Sequence, residues 1–156
     1  MLELAPYGVK VTRLEGDIEI RRPLEEVFRF VADPRNDPSW CPRVEWCEQR
    51  EGDGPAAGAR YEAMHRPSGY PRKHIRRIEV LEYDPPHRIR WRQEDQIGVF
   101  DITYTLEPAG DGTRLLQIDE IEWKLPLAGP FGKRIVGRHI GEQQQDLKRV
   151  LEDGRT

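Results

Sequence analysis

Cysteine is scarce in this sequence. Cys41 and Cys47 are the only two among 156 residues, which leaves no disulfide framework and fits a reducing cytoplasm. Were WCPRVEWC one strand, the two thiols would lie on one face about 20 Å apart, at about 3.3 Å per residue, too far to bridge. No further ligands are spaced around them as a metal site requires, so no metal is expected. Long apolar runs are also missing, and none approaches the roughly 20 residues of a membrane helix. The opening MLELAPYGVK has no basic segment followed by an apolar one, so no secretory leader and no membrane insertion are expected. Neither charge sign dominates. With 25 Lys and Arg against 28 Asp and Glu, the net charge is -3, and the signs are mixed along the chain. Nothing in that balance points to a nucleic-acid partner. G-x-S-x-G and H-E-x-x-H are absent. GDG at 110–112 sits in a hairpin turn rather than between strand and helix, so it is no phosphate loop. No cofactor is implied. Without repeats, low-complexity stretches or linkers, residues 1–156 read as one domain, monomeric or homodimeric.

What the chain does have is alternation. VTRLEGDIEIRR (11–22) sets Ile18 and Ile20 between charged residues, a period of two. PLEEVFRFVA then turns helical, with Leu24, Val27, Phe28 and Val31 on one stripe and Pro23, Glu25 and Glu26 at its start. DPRNDPSW (33–40) interrupts it, because a residue before proline avoids helical angles, and a second short helical turn ends on Trp40. Strand candidates follow at RVEWCEQRE, ARYEAMHR, KHIRRIEVLEY, RIRWRQE, VFDITYTLE and TRLLQIDEIEWKL, with PAGDG a strong hairpin signal. After Pro130 the period becomes about 3.6, and a long helix carries Phe131, Ile135, Val136, Ile140, Leu147, Val150 and Leu151, with Gly154 at its end.

The phrases RRPLEEVFRFVADPRNDPSW, LEYDPPHRIRW and YTLEPAGDGTRL, with a Gly-containing turn before ARYEA and the final helix, span nearly the whole chain. In this order they resemble the START-like (SRPBCC) superfamily, and within it the bacterial polyketide cyclase/dehydrase and lipid-transport branch. The resemblance implies an α+β helix-grip fold: a curved, seven-stranded antiparallel sheet wrapped around the long C-terminal helix, with two short helices after strand 1. It also implies a cavity between sheet and helix for a hydrophobic small molecule, polyketide- or lipid-like. Fold does not fix chemistry, however.

Strand parity nominates the residues facing that space. These are Val44 and Trp46; Tyr61, Ala63 and His65; Ile89, Trp91 and Gln93; Phe100, Ile102, Tyr104 and Leu106; and Ile121 and Trp123. Carried backward from Ile121, the same parity puts Asp119 and Gln117 inside, whereas a bulge would put Ile118 and Leu116 there. The strand 73–83 is equally open, because Ile78 and Val80 disagree in phase with Leu81 and Tyr83. Trp40 either lines the pocket mouth or seals the core. Ile135 and His139 join the lining from the long helix, where Gly132, Gly137 and Gly141 permit close packing or leave open volume.

Catalytic candidates are few. His65 comes first, His139 second, and Asp119 would orient either; such a trio moves a proton in an aldol-type cyclisation or dehydration. His74 and His87 read as surface residues. RPSGYPRKHIRR (66–77) is a basic stretch, read either as a solvated strand edge or as a partner-binding patch. Three functions follow from these residues: a binder of hydrophobic small molecules, a polyketide cyclase or dehydratase, and a protein-interaction module.

Overall fold

A computed structural model describes residues 2–4, 10–66, 71–124 and 128–154. For 2–4, 10, 128–133, 135 and 136 it describes the backbone alone. The strands are β1 (Leu2–Leu4), β2 (Lys10–Ile20), β3 (Val44–Glu51), β4 (Arg60–His65), β5 (His74–Asp84), β6 (Arg88–Glu94), β7 (Gly98–Ala109) and β8 (Gly112–Trp123). They form one antiparallel sheet in the order β1-β2-β8-β7-β6-β5-β4-β3. The seven expected strands are all present, and the short β1 is an addition at one edge. The helices are α1 (Leu24–Val31), α2 (Asp37–Trp40) and α3 (Ala128–Glu152). The resulting architecture is the α+β helix-grip arrangement, with α3 laid on the sheet.

Each break in the chain has a local cause. α1 buries Val27, Phe28, Phe30 and Val31 and is helical up to Val31. The Asp33 carboxylate accepts the Arg35 backbone N–H at 3.1 Å and starts a single 3₁₀ turn, Pro34–Asn36. Asn36 Nδ2 donates to the Phe30 carbonyl at 3.0 Å, which ties the turn back to α1. The prolines and aspartates of DPRNDPSW thus redirect the chain and set Trp40 into the core at 8% exposure.

α3 approaches the sheet over β2 because Gly16 has no side chain. A Cβ there would meet Ile140 Cγ2 at 2.6 Å and the Gln144 amide at just over 3 Å. Gly137 and Gly141 are exposed on α3; a Cβ at Gly137 would meet Leu14 of β2 at an ordinary 3.7 Å, and one at Gly141 would meet nothing within 4 Å. Leu147 and Leu151 continue the stripe into the main cluster with Ile18, Ile20 and Leu115. Gly154 ends α3 at φ 68°, a left-handed conformation glycine adopts without steric cost.

Both open questions of strand phase are settled by register. β8 runs without a bulge against β7 and β2. Leu115, Gln117, Asp119 and Ile121 are buried, while Leu116 and Ile118 are only half-buried. In β5 a register shift falls between Val80 and Glu82. His74, Arg76, Ile78 and Val80 are buried on one side of it, and Tyr83 packs on the core beyond it. The conflicting phases of Val80 and Tyr83 are therefore both inward, because the bulge inserts one residue.

Candidate functional site

The inner face of the sheet is aromatic but not purely apolar. In register across β6, β7 and β8, Trp91 stands opposite Ile102, which stands opposite Asp119, and Ile89 opposite Tyr104 opposite Gln117. Trp91 meets Tyr104 edge-on, with ring centroids 4.9 Å apart. Gln117 Nε2 donates to Asp119 Oδ1 at 3.0 Å. Gly16 faces Gln117 in the ladder, and over it comes the Gln144 amide from α3. Burial pushes Asp119 up to about 6, opposed by the Gln117 hydrogen bond and by Arg76. Tyr104 is also raised, by burial first and then by Asp119 and Asp37.

Asp37 reaches the same region from α2. The residue is half-exposed, and burial raises its carboxyl to about 8. Trp40 Nε1 faces that carboxyl and lowers its pKa in part, without a hydrogen bond of good geometry. Beside it, the buried Cys41 thiol accepts from Gln143 Nε2 of α3 at 3.5 Å. β3 starts only at Val44, so Cys41 and Cys47 do not share a strand; both thiols are free. Burial raises Cys41 and pushes Cys47 to about 12, which keeps both protonated and unreactive.

A second polar cluster stands at the loop end of β4, β5 and β6. Asp95 Oδ2 is held by His74 Nε2 at 2.9 Å and by Arg76 at 2.8 Å through Nε. Asp95 Oδ1 accepts the backbone N–H groups of Ile97 at 2.8 Å and Gly98 at 3.2 Å. Burial alone would raise Asp95; Arg76 and these hydrogen bonds outweigh it and hold the carboxyl below its usual range. The Arg76 guanidinium also lies 4.4 Å from the Phe100 ring centroid and reaches Gln93 Oε1 at 3.4 Å. His65 packs against His74 at 6.0 Å between ring centroids. Burial, then Arg76, lower its pKa to about 2, so His65 stays neutral.

These positions revise several expectations. His74 is buried at 6%, not a surface residue, and Arg76 at 9% faces inward, away from any basic docking patch. The parity of Ile78 and Val80, carried back along β5, gives both residues. Trp46 is not on the inner face. A register shift between Val44 and Trp46 places Trp46 opposite Met64, whereas Val44 and Cys47 stand opposite the inward His65 and Ala63. Among the described residues no hydrogen bond or ion pair joins any two of His65, His139 and Asp119. His139 is half-buried near Arg43 and Glu142, its pKa lowered chiefly by burial. Phe100 and Trp123 form a separate small cluster with Ile97 and Ile121. Ile135 lies outside the described side chains. Asp37, Asp95 and Gln144 are not nominated by sequence parity, because two lie outside strands and the third on the helix.

His65, His74 and Asp95 offer ligand atoms within 4.8 Å of one another, a grouping that residue spacing does not reveal. Arg76 Nη2 stands 2.6 Å from Asp95 Oδ2, so a dication there would face a guanidinium across one oxygen. That disfavours a metal at this cluster. On the outer face a groove of about 290 Å³ runs among Arg60, Glu62, Arg77, Glu79, Arg92 and Glu94. Its charges are cross-matched, as in Arg50–Glu62 at 3.0 Å and Arg60–Glu79 at 3.7 Å, which makes it a solvated ladder rather than an apolar site.

With this geometry established, comparison with known proteins is decisive for the family. The signature of the family described as "Polyketide cyclase / dehydrase and lipid transport" matches residues 11–152. The chain belongs to this family. A START superfamily protein from Mycobacterium smegmatis is similar at 20% identity and TM-score 0.78, covering 90% of this chain and 97% of its own. TTHA0849 from Thermus thermophilus is similar at 23% identity and TM-score 0.66, over 91% and 95%. The di-domain ARO/CYC StfQ from the steffimycin biosynthetic pathway gives 13% identity and TM-score 0.71, over 92% of this chain and 50% of StfQ. At these identities the structures share the fold alone. No curated protein sequence matches the chain. Among the described residues, no helix is long and apolar enough to cross a membrane.

Proposed function

We propose that the chain, as a single domain over residues 1–156, binds a hydrophobic or amphipathic small molecule of polyketide or lipid type between the inner face of the sheet and α3. One observation carries this reading. Trp40 Nε1, Tyr61 Oη, His65 Nδ1, Trp91 Nε1 and Gln144 Nε2 are buried and make no hydrogen bond among the described residues. Each such group costs about 1–3 kcal/mol, and a ligand that reaches them recovers that cost. Trp40, Tyr61, His65, Trp91 and Tyr104 form the proposed lining. Gln93, Phe100, Trp123 and His139 border it. Membership of a family whose description names both polyketide chemistry and lipid transport supports the same reading, and two free thiols suit a reducing compartment.

A second reading, an enzyme of cyclase or dehydratase type, is favoured by Asp37 and Asp119. Neither forms an ion pair among the described residues; at neutral pH Asp37, near 8, keeps its proton as a general acid requires, and Asp119, near 6, is mostly ionised as a general base requires. His65, neutral throughout the physiological range, is no acid.

The test is a pair of mass spectra of the protein after incubation with a lipophilic extract of its own host, one native and one denaturing. A discrete small mass that travels with the folded chain and leaves on unfolding is expected. Failure of any extract component to add mass to the folded chain would refute the binding reading. If the captured compound is turned over, Asp119→Asn abolishes turnover while retaining the mass; full turnover in that variant refutes the enzyme reading.

A further inference from the structure

The outer face of the sheet is not charged throughout. Where β4 ends and β5 begins, register sets Trp46 opposite Met64 and Met64 opposite Ile75. Along the strands, Ala63 and His65 flank Met64, and His74 and Arg76 flank Ile75; all four are buried. Side chains alternate between the faces of a strand, so Trp46, Met64 and Ile75 form one apolar row that points outward. At about 4.8 Å between strands the row spans about 10 Å. Trp46 and Met64 are half-buried. Ile75, at 39%, is the one exposed large apolar side chain among the described residues. β6 pairs with β5 only from Arg77 onward, so among the described residues no strand flanks Ile75 on that side.

Cations rim this row. Arg66, Arg72, Lys73 and Arg77 are all exposed. The acid set among them is Glu45, which takes Lys73 at 2.5 Å and Arg66 at 3.4 Å. Arg72 and Arg77 form no ion pair among the described residues. Arg77 stands between Glu62 and Glu94 in the ladder, but those carboxylates are held by Arg50 and Lys124. Glu48 is likewise held by Arg50, and Glu79 by Arg60. In a chain of net charge -3, this end of the outer face is therefore positive. A second copy of the same patch is repelled by it, and an anionic surface is attracted. The groove on the outer face does not include Trp46, Met64 or Ile75. A protein anchor needs a pocket to fill, whereas a bilayer surface meets a shallow apolar row with a cationic rim directly.

We propose that Trp46, Met64 and Ile75, with Arg66, Arg72, Lys73 and Arg77, form a docking surface for an anionic lipid bilayer. The chain adsorbs there without spanning the membrane. The apolar row settles at the boundary of headgroups and acyl chains, where an indole is well placed, and the cations take lipid phosphates. The surface lies on the face of the sheet opposite to the proposed lining, so docking stands apart from the binding reading above. Its position still bears on that reading. His65 follows Met64 in β4, so docking brings this end of the interior beside the phase in which lipophilic molecules dissolve.

The experiment is sedimentation with sucrose-loaded vesicles, one set of phosphatidylcholine alone and one with about 30% phosphatidylglycerol. At low salt the protein partitions about tenfold or more in favour of the anionic set, and about 0.5 M salt releases it, because the charges are exposed. Arg72→Glu with Lys73→Glu weakens the partition about tenfold or more, and Ile75→Ser weakens it about threefold. Arg138→Glu, on the exposed side of α3, leaves it within about twofold. Should the double variant not fold, Ile75→Ser and the salt and lipid dependence of the wild type decide. Equal partition onto the two sets, no partition onto either, or undiminished partition of the double variant overturns the inference. Binding of polyglutamate without binding of vesicles assigns the patch to an acidic polypeptide and overturns it as well. Protein in the pellet reports the docking surface. Phospholipid carried into the supernatant reports the interior site, so the two readings fail separately.

Discussion

His65 and the two interior aspartates make opposite demands on pH. The folded chain holds His65 near 2, below its ordinary value of about 6.5. Its stability contribution is complete above that ordinary value and is lost as pH falls towards the folded one. Asp37 and Asp119 are raised, so their contribution is complete below the ordinary aspartate range and is lost as pH rises through about 6 for Asp119 and about 8 for Asp37. Asp37→Asn and Asp119→Asn should each raise Tm near pH 9 and leave it little changed near pH 4, as thermal melts at the two values would show; lower Tm at the alkaline end contradicts this assignment. Asp95 behaves in the other sense. Its pKa is lowered, and Asp95→Asn strips Arg76 of its counter-ion in a buried setting. That substitution should cost about 3–5 kcal/mol, a fall in Tm of about 6–20 °C. At this scale parity makes Tyr61, Trp91 and Tyr104 legible, since each alternates with charged or small polar neighbours, and His65 follows from the phase of Tyr61. Asp37 and Asp95 are not legible, because a four-residue helix and a loop are too short to carry a period from which to read a facing.

Elements succeed or fail on single insertions. β6 and β8 keep strict alternation, and their inward sets follow from the sequence directly. β3 and β5 each contain a bulge, and one added residue turns every following side chain to the other face. For this reason parity alone misplaces Trp46 and leaves Tyr83 open. If Trp46 stands on the outer face, Trp46→Thr should leave the affinity for an interior ligand within about twofold, whereas Trp91→Ala should weaken it about tenfold or more; reversed effects would place the ligand outside. The close approach of α3 to β2 depends on Gly16, whereas added Cβ atoms at Gly137 and Gly141 would fit without a clash. Gly16→Ala forces a Cβ to within 2.6 Å of Ile140. Overpacking of this kind costs about 1–3 kcal/mol and should appear as a Tm lower by about 2–12 °C, whereas Gly141→Ala, whose Cβ meets open space, gains about 1 kcal/mol of helix propensity and should raise Tm by about 2–4 °C.

For the whole molecule, the order of elements is readable because turn punctuation and the change from period two to 3.6 are local properties of the chain. The site is readable only in outline. Which polar groups meet inside depends on strand register and on the approach of α3, and those are long-range properties. The sheet presents a cross-matched charge ladder outward and an aromatic face with unmatched donors inward, and the two faces predict different behaviour towards ligands. The most direct test is a titration with acetylnaphthalene in the wild-type protein and in Trp91→Phe and Trp46→Phe variants, followed by tryptophan fluorescence. Binding on the inner face predicts that most of the quenching vanishes with Trp91→Phe and persists with Trp46→Phe. Quenching that is retained without Trp91 and lost without Trp46 would place the ligand on the outer face and contradict the account.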